Sequence, residues 1–293
     1  MQKNSIGSRL FDIINIFIMI LVIIITLYPF LHVASVSISN IAAVSSGQVT
    51  FYPVGIDLDA YKFVLKDPRI ATGYKNTILY MAVGTLMQMV VTSISAYALS
   101  KKGFTWRNIL LMAVTFTMMF NGGMIPNYAI VRSLRMIDTM WAMIIPRLIN
   151  TWYLLIMKTF FESLPESLSE SAYLDGASEF KTFTYIIMPL SVPIFLTITL
   201  FYAVGHWNTY FNALLYLNSA DKYPLQLVLR NIIIAGQTAM ENMSELEEYS
   251  KIALMARNIR AATIMVATIP IICIYPFIQK YFTQGVMIGA IKG

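Results

Sequence analysis

The chain has 293 residues, 57% of them hydrophobic and only 12% charged, and its mean hydropathy of +0.65 exceeds what a soluble domain carries in water. The net charge of +6 is dispersed at the ends of apolar runs, with no basic stripe interleaved with aromatics. That pattern speaks against nucleic acid as a partner and for Lys and Arg flanks that snorkel to a membrane surface.

A spanning helix needs about 20 mostly apolar residues, and taken in chain order several segments meet that length. The first runs from about Ile13 to Val33 without a charge and ends near Tyr28-Pro29-Phe30; lacking a small-residue cleavage site, it reads as a retained helix. The others run roughly over Asn76–Ser100, Ile109–Val131, Thr139–Phe161, Leu190–Leu217 and Ala261–Phe282. The expectation is an all-α integral membrane protein of about six transmembrane helices, a single domain over 1–293, with both termini on one side. The short flanks Lys3, Arg9, Lys101, Lys102 and Arg107 put that side in the cytoplasm, while Arg132 and Arg135 pull the other way.

Within the third segment, Asn121-Gly122-Gly123 weakens a regular helix by roughly 1 kcal/mol per glycine relative to alanine. Such a break lines a cavity or permits close helix packing, and the sequence leaves both open. Arg147, beside Pro146 in the fourth, is the clear cation inside a span and is expected to face protein, water or substrate rather than lipid.

The stretch at about 163–193 breaks the apolar pattern. Pro165 and Glu166 suit a first helical turn. Leu164, Leu168 and Ala172 recur at i, i+4 as an apolar face opposite Glu166, Ser169, Glu170 and Tyr173. Gly176 is expected to end that helix in a left-handed turn, Ser178 and Glu179 to start a second one, and Pro189 to interrupt it before the next span. By periodicity alone the first helix rests on lipid or docks on a protein; its carboxylates disfavour anionic lipid.

Glu170, Ala172, Gly176, Ile186 and Pro189 match the spacing of the EAA loop of bacterial ABC importer permeases, with Ser171 and Met188 departing from the motif. The chain thus resembles that family, in particular the shorter maltose-type permeases of the carbohydrate branch. Trp207-Asn208-Thr209-Tyr210-Phe211, Asn121–Pro126 and Tyr223–Leu227 look like the complex-oligosaccharide members, such as the second permease of alginate importers.

The resemblance implies a type I importer permease fold in the bacterial inner membrane. It implies a cytoplasmic coupling helix carrying Glu170, Ser171, Ala172, Asp175, Gly176 and Pro189, with Leu168 and Ala172 as the face buried in the ATPase. It further implies a tail over about 283–293 whose Gly285, Gly289 and Lys292 approach the ATPase subunits. Partners implied are a companion permease, two copies of a nucleotide-binding subunit that hold ATP and magnesium, and an extracytoplasmic sugar-binding protein. A pathway of Asn121, Gly122, Gly123, Arg147, Trp207 and Asn208 would carry acidic oligosaccharides, or neutral ones from plant polysaccharides.

The residues agree in what they omit. No G-x-x-x-x-G-K-[ST] phosphate loop, metal-ligand spacing or nucleophile elbow occurs, so the chain reads as no enzyme and as binding no cofactor or metal itself. A secondary transporter is the rival by composition, but intramembrane acids and an internal repeat are not evident. His206 reads as a hydrogen-bonded helix residue, and Cys273 as a small buried hydrophobe. The segment Glu241–Lys251 is a candidate face for the binding protein, or a solvated helix.

Overall fold

The computed structural model describes residues 6–120, 122–241 and 247–290, and among them every regular element is a helix, with one isolated antiparallel bridge between Ser39 and Ile56. In chain order these are α1 (Ile6–Ser37), α2 (Ile41–Ser45), α3 (Asp59–Lys66), α4 (Pro68–Ser100), α5 (Arg107–Met119), α6 (Met124–Ser133) and α7 (Met140–Ile144). A 3-10 turn, Ile145–Arg147, leads on to α8 (Thr151–Glu162), α9 (Glu166–Leu174), α10 (Glu179–Thr182), α11 (Met188–Leu190) and α12 (Val192–Trp207). The described chain closes with α13 (Phe211–Tyr216), α14 (Leu225–Glu241) and α15 (Glu247–Ala290).

Three helical stretches are long and apolar enough to cross a bilayer alone: Leu10–Ser37, Pro68–Ser100 and Met255–Ile274. Three bent pairs pass the same test together: α5 with α6, Met140–Arg147 with α8 at 52°, and Glu179–Leu190 with α12 at 84°. Counting each pair as one span gives six, so the expected number holds while half of the spans are broken. The sequence reading also stopped the first helix too early. Pro29 lies inside α1, which continues to Ser37.

The chain divides into two compact units. Met1–Ile70 with Leu229–Pro270 forms the first. There Val36, Ala43, Val44, Val49 and Ala261 make a small apolar cluster, and the buried Asn258 donates to the carbonyls of Val36 and Ser39 at 3.0 and 2.7 Å. Those two bonds close the C-terminal end of α1, whose last carbonyls have no partner inside the helix. None of the most apolar part of α1 is buried within this chain, as befits a helix apolar on all sides that faces lipid or another subunit.

Cys273 also proves exposed rather than buried. It lies near the end of an apolar span only partly covered by its own chain, and period-3.6 hydrophobicity cannot separate a lipid-facing stripe from a protein-facing one.

The second unit, Ala71–Val228 with Ile271–Gly293, holds the elements that matter below. Its main core joins Met89, Ala96 and Leu99 of α4 to Leu154, Met157 and Phe161 of α8 and Ile194, Ile198 and Tyr202 of α12. A second cluster sets Tyr80 against Met143, Ile144, Ala213 and Leu227. Between α6 and α7, outside the spans, Asp138 adopts a left-handed φ of +59°, which Asp tolerates better than most residues. Its carboxylate accepts from the Asn218 and Ser219 amides at 2.9 and 3.0 Å, the Ser219 hydroxyl at 2.6 Å and the Lys222 ammonium at 2.7 Å.

Those bonds, led by the Lys222 ammonium, hold the Asp138 carboxyl well below the ordinary aspartate value of 3.8. A lowered folded pKa means the stabilisation is complete above the unfolded value and is lost as pH falls through the folded one. Asp138→Ala is therefore expected to cost about 1–3 kcal/mol at neutral pH, and the gap between mutant and wild type should close on acidification below the ordinary aspartate range. Thermal unfolding of the detergent-solubilised protein at a series of pH values measures both; a gap that is constant with pH would contradict the assignment.

Candidate coupling surface and membrane cavity

α9 begins after Pro165, with Glu166 in its first turn. It ends in a Schellman motif: Gly176 sits at φ +77°, its N–H donates to the Tyr173 carbonyl at 3.0 Å, and the Ala177 N–H donates to the Ala172 carbonyl at 2.9 Å. α10 follows directly, capped by Ser178, whose hydroxyl accepts from the Lys181 amide at 3.4 Å. Phe183–Ile187 then forms a widened π turn before α11.

That turn lies just ahead of Pro189, where a regular helix would press the proline ring against the carbonyl four residues back. The slip absorbs the proline, so Pro189 does not interrupt the helix as expected. The break falls at Ser191, which is fully buried, and α12 then starts at Val192 with Pro193 in its first turn.

A polar node ties these helices to the end of α4. Glu179 accepts from the Tyr97 hydroxyl at 2.8 Å and the Tyr173 hydroxyl at 2.7 Å. Lys101 donates to the Ser169 hydroxyl at 3.1 Å, and its ammonium stands 4.7 Å from the centroid of the Tyr97 ring, a cation–π distance. Glu162 is held by Arg107 at 2.7 Å and Lys158 at 2.8 Å. The Lys102–Glu166 pair at 2.6 Å is open to solvent on both sides and contributes little. Beside the node opens a groove of about 1120 Å³ walled by Tyr97, Lys101, Glu170, Tyr173 and Phe180.

Deeper in the same unit, a cavity of about 250 Å³ opens where the α7–α8 span breaks. Gln88 of α4 donates to the Arg147 carbonyl at 2.7 Å and its amide oxygen meets His206 Nε2 of α12 at 2.9 Å. Gly84 is required here: a methyl group in place of its hydrogen would overlap the His206 imidazole. Asn150 caps α8 by accepting from the Tyr153 amide at 3.2 Å, and its own N–H donates to the Tyr202 hydroxyl at 3.3 Å. Arg147 Nη1 donates to the Thr209 hydroxyl at 3.1 Å.

Comparison with known proteins decides what this arrangement belongs to. The model of the family described as "Binding-protein-dependent transport system inner membrane component" matches residues 1–288. The chain belongs to that family. It is 41% identical over 292 residues to the protein LplC of Bacillus subtilis, covering 100% of this chain and 98% of that one. It is 40% identical over 286 residues to the polygalacturonan/rhamnogalacturonan transport system permease YtcP of the same organism, covering 98% and 99%. Among solved structures it is similar to a chain of a bacterial ABC transporter involved in the import of the acidic polysaccharide alginate, with a TM-score of 0.86, 34% identity, and 96% of this chain and 100% of that one covered.

In this inner-membrane permease the residues read from sequence fall into three groups. Glu170, Ser171 and Asp175 lie exposed on α9, next to Gly176 in its turn. Ala172 is only 5% exposed, and Leu164 packs on the permease's own core. Of the apolar face expected to enter a partner, Ala172 is thus taken up by the permease's own chain, while Leu168 is half-buried. What points outward instead is Leu174, 90% exposed, with Phe180 at 70% on α10. The signal was available: Leu174 lies two positions, or about 200° of helix, beyond Ala172.

Of the pathway residues, Arg147 lines the cavity. Trp207 is buried, tilted against Tyr74 at 6.1 Å, and Asn208 is exposed and donates to the Val204 carbonyl at 3.0 Å; neither lines that cavity. Asn121 and Lys292 lie outside the described residues. Gly122 and Gly123 sit in the break between α5 and α6, where an added Cβ would meet only Pro126 at 3.9 Å, or nothing within 4 Å. Among the described residues that break does not serve close packing. At the other end α15 continues through Gly285 and Gly289 to Ala290.

Sequence reasoning missed Tyr97 and Gln88, because a polar residue inside a long apolar helix carries no mark of its partner, and read Lys101 only as a membrane flank. The node gives a direct test. Glu179→Gln with Tyr97→Phe should show a coupling energy of roughly 0.5–3 kcal/mol in a double-mutant cycle on thermal stability. Strict additivity of the two substitutions would contradict the contact.

Proposed function

We propose that this permease is one of two paired transmembrane subunits of an importer that moves acidic oligosaccharides inward. Energy comes from ATP hydrolysed, with magnesium, on two copies of a separate nucleotide-binding subunit, and an extracytoplasmic sugar-binding protein delivers the substrate. The chain itself is a transport subunit in the bacterial inner membrane and performs no hydrolysis. Its termini and α9 face the cytoplasm, and the tail that includes Gly285, Gly289 and Lys292 meets the ATPase pair.

The observation that carries this reading is the outward face of α9 and α10. A short helix with rigid ends presents Glu170, Ser171, Leu174, Asp175 and Phe180 to whatever lies outside the chain, while its opposite face and the Glu179 node bind it to the bundle. A helix laid into a groove needs apolar anchors and a few charges to set register. Closure of an ATPase groove around that face would move α9 as a body. The motion passes to α4 through Lys101 and Tyr97, and to α12 through α10, α11 and the bend at Ser191.

The acidic substrate is favoured by the company the chain keeps. Polygalacturonan is a polymer of a uronic acid and alginate is an acidic polysaccharide, and the proteins carrying those names match over nearly the whole chain.

Leu174→Glu places a charge where the ATPase would bury an apolar side chain. It is expected to weaken recovery of the ATPase with the affinity-purified permease pair by about tenfold or more while leaving membrane insertion intact; unchanged recovery would remove α9 and α10 from the interface. The substrate reading is tested by ATPase stimulation of the complete reconstituted complex over a panel of uronate and neutral oligosaccharides. Stimulation by uronate oligomers is the expected result, and stimulation by neutral sugars alone would keep the importer and discard the acid.

A further inference from the structure

We propose that the cavity at the broken α7–α8 span is a carboxylate subsite for one uronate residue of the chain in transit, with Arg147 as the group that binds it. The inference rests on the acidic-substrate reading above and adds that this subunit itself touches the sugar.

The argument begins with charge. Arg147 lies, exposed, where two helices that together make one span are broken, and a cation at membrane depth faces protein, water or substrate rather than lipid. Among the described residues no carboxylate lies within ion-pair distance of it, and no Asp or Glu lines the cavity. Among the described residues its side chain makes one hydrogen bond, to the neutral Thr209 hydroxyl, while a guanidinium carries five N–H donors in a fork that matches a carboxylate.

The neighbouring polar groups are already engaged with one another. Gln88 joins the Arg147 carbonyl to His206, and Tyr202 joins Thr92 at 2.8 Å to the Asn150 amide. Arg147 also lines the cavity and is the cation among its lining residues, beside Asn150 and Tyr153, which add an amide and a hydroxyl. The N-terminal end of α8 opens from Asn150 onto the same space, and its dipole adds positive potential there, as at the half-helix ends that receive anionic groups in other transporters.

Shape then selects among anions. The Tyr153 and Phe201 rings, stacked at 5.5 Å, form part of the cavity wall and give an apolar surface that suits the C–H face of a pyranose. At about 250 Å³ the space falls just below the roughly 300–1,000 Å³ of pockets for drug-sized ligands, which fits one sugar residue and excludes the whole oligomer.

The test is equilibrium binding of radiolabelled trigalacturonate to the complete complex in nanodiscs, without binding protein, beside its trimethyl ester and with inorganic phosphate as competitor. The wild type is expected to bind the acid at least about tenfold more tightly than the ester. Arg147→Gln should erase that preference, and Arg147→Lys, which keeps the charge but not the fork, should retain part of it and serves if the Gln variant fails to assemble. Equal binding of acid and ester, no binding of the acid by the wild type, an Arg147→Gln variant that keeps the preference, or displacement by equimolar phosphate would each overturn the subsite. Failure here with uronate-stimulated ATPase in the panel above removes the subsite alone; stimulation by neutral sugars only removes the acidic substrate as well.

Discussion

Inside hydrocarbon every backbone N–H and C=O must find its partner within the protein, because water cannot supply one. A straight helix meets that constraint by itself, and a broken one hands the debt to side chains. The α7–α8 span shows how this chain does it: Gln88 donates to the freed Arg147 carbonyl, Asn150 accepts from the Tyr153 amide, and the Tyr202 hydroxyl accepts from the Asn150 amide. The repair comes from three helices at once, so the break fixes how α4, α8 and α12 meet. It also explains why Gly84 must lack a side chain, since the His206 ring that steadies Gln88 occupies that space. The cavity is thus the consequence of interrupting a helix where lipid forbids loose ends, and its polar lining is largely structural. Arg147 is the exception, because its guanidinium repairs no backbone group: it donates to the Thr209 side chain.

The same economy governs the surface node. Glu179 accepts from two tyrosines, one on α4 and one on α9, and Lys101 binds back to α9. Each bond to an ionised group is stronger than a neutral one, and those formed by partly buried groups exceed what the exposed Lys102–Glu166 pair provides. α9 is accordingly fastened at several points along its inner face, while its outer face is left to project.

How much of this could be read from sequence follows from which physical signal each feature leaves. Spans announce themselves through length and apolarity, and the turn at Gly176 through the need for a left-handed residue between two amphipathic stretches. The Ser178 cap was legible for the same local reason. Tertiary signals were not. Leu168 and Ala172 form an apolar stripe whether they bury against a partner or against their own chain, and Ala172 proves to be covered by its own chain; Cys273 was assigned to the interior on equally silent grounds. Pro189 was read as a break because proline usually is one, yet a π turn can take up the slip and move the bend two residues on, to Ser191. Arg147 was recognised as a cation inside a span, but its contact with Thr209, which lies 62 positions away, was not legible.

The two sites are joined by the helices they share. α4 carries Gln88 at the cavity and Tyr97 at the node, nine residues or about 13 Å apart along one rigid rod. α12 starts at the Ser191 bend, which follows from α9 through α10 and α11, and ends with His206 at the cavity wall. Gln88 and His206 bond to each other, so any movement of α9 that shifts α4 and α12 unequally must strain that bond and, through Gln88, the Arg147 carbonyl. The bonds that join the two sites are thus the ones the broken span already needs to exist in a membrane.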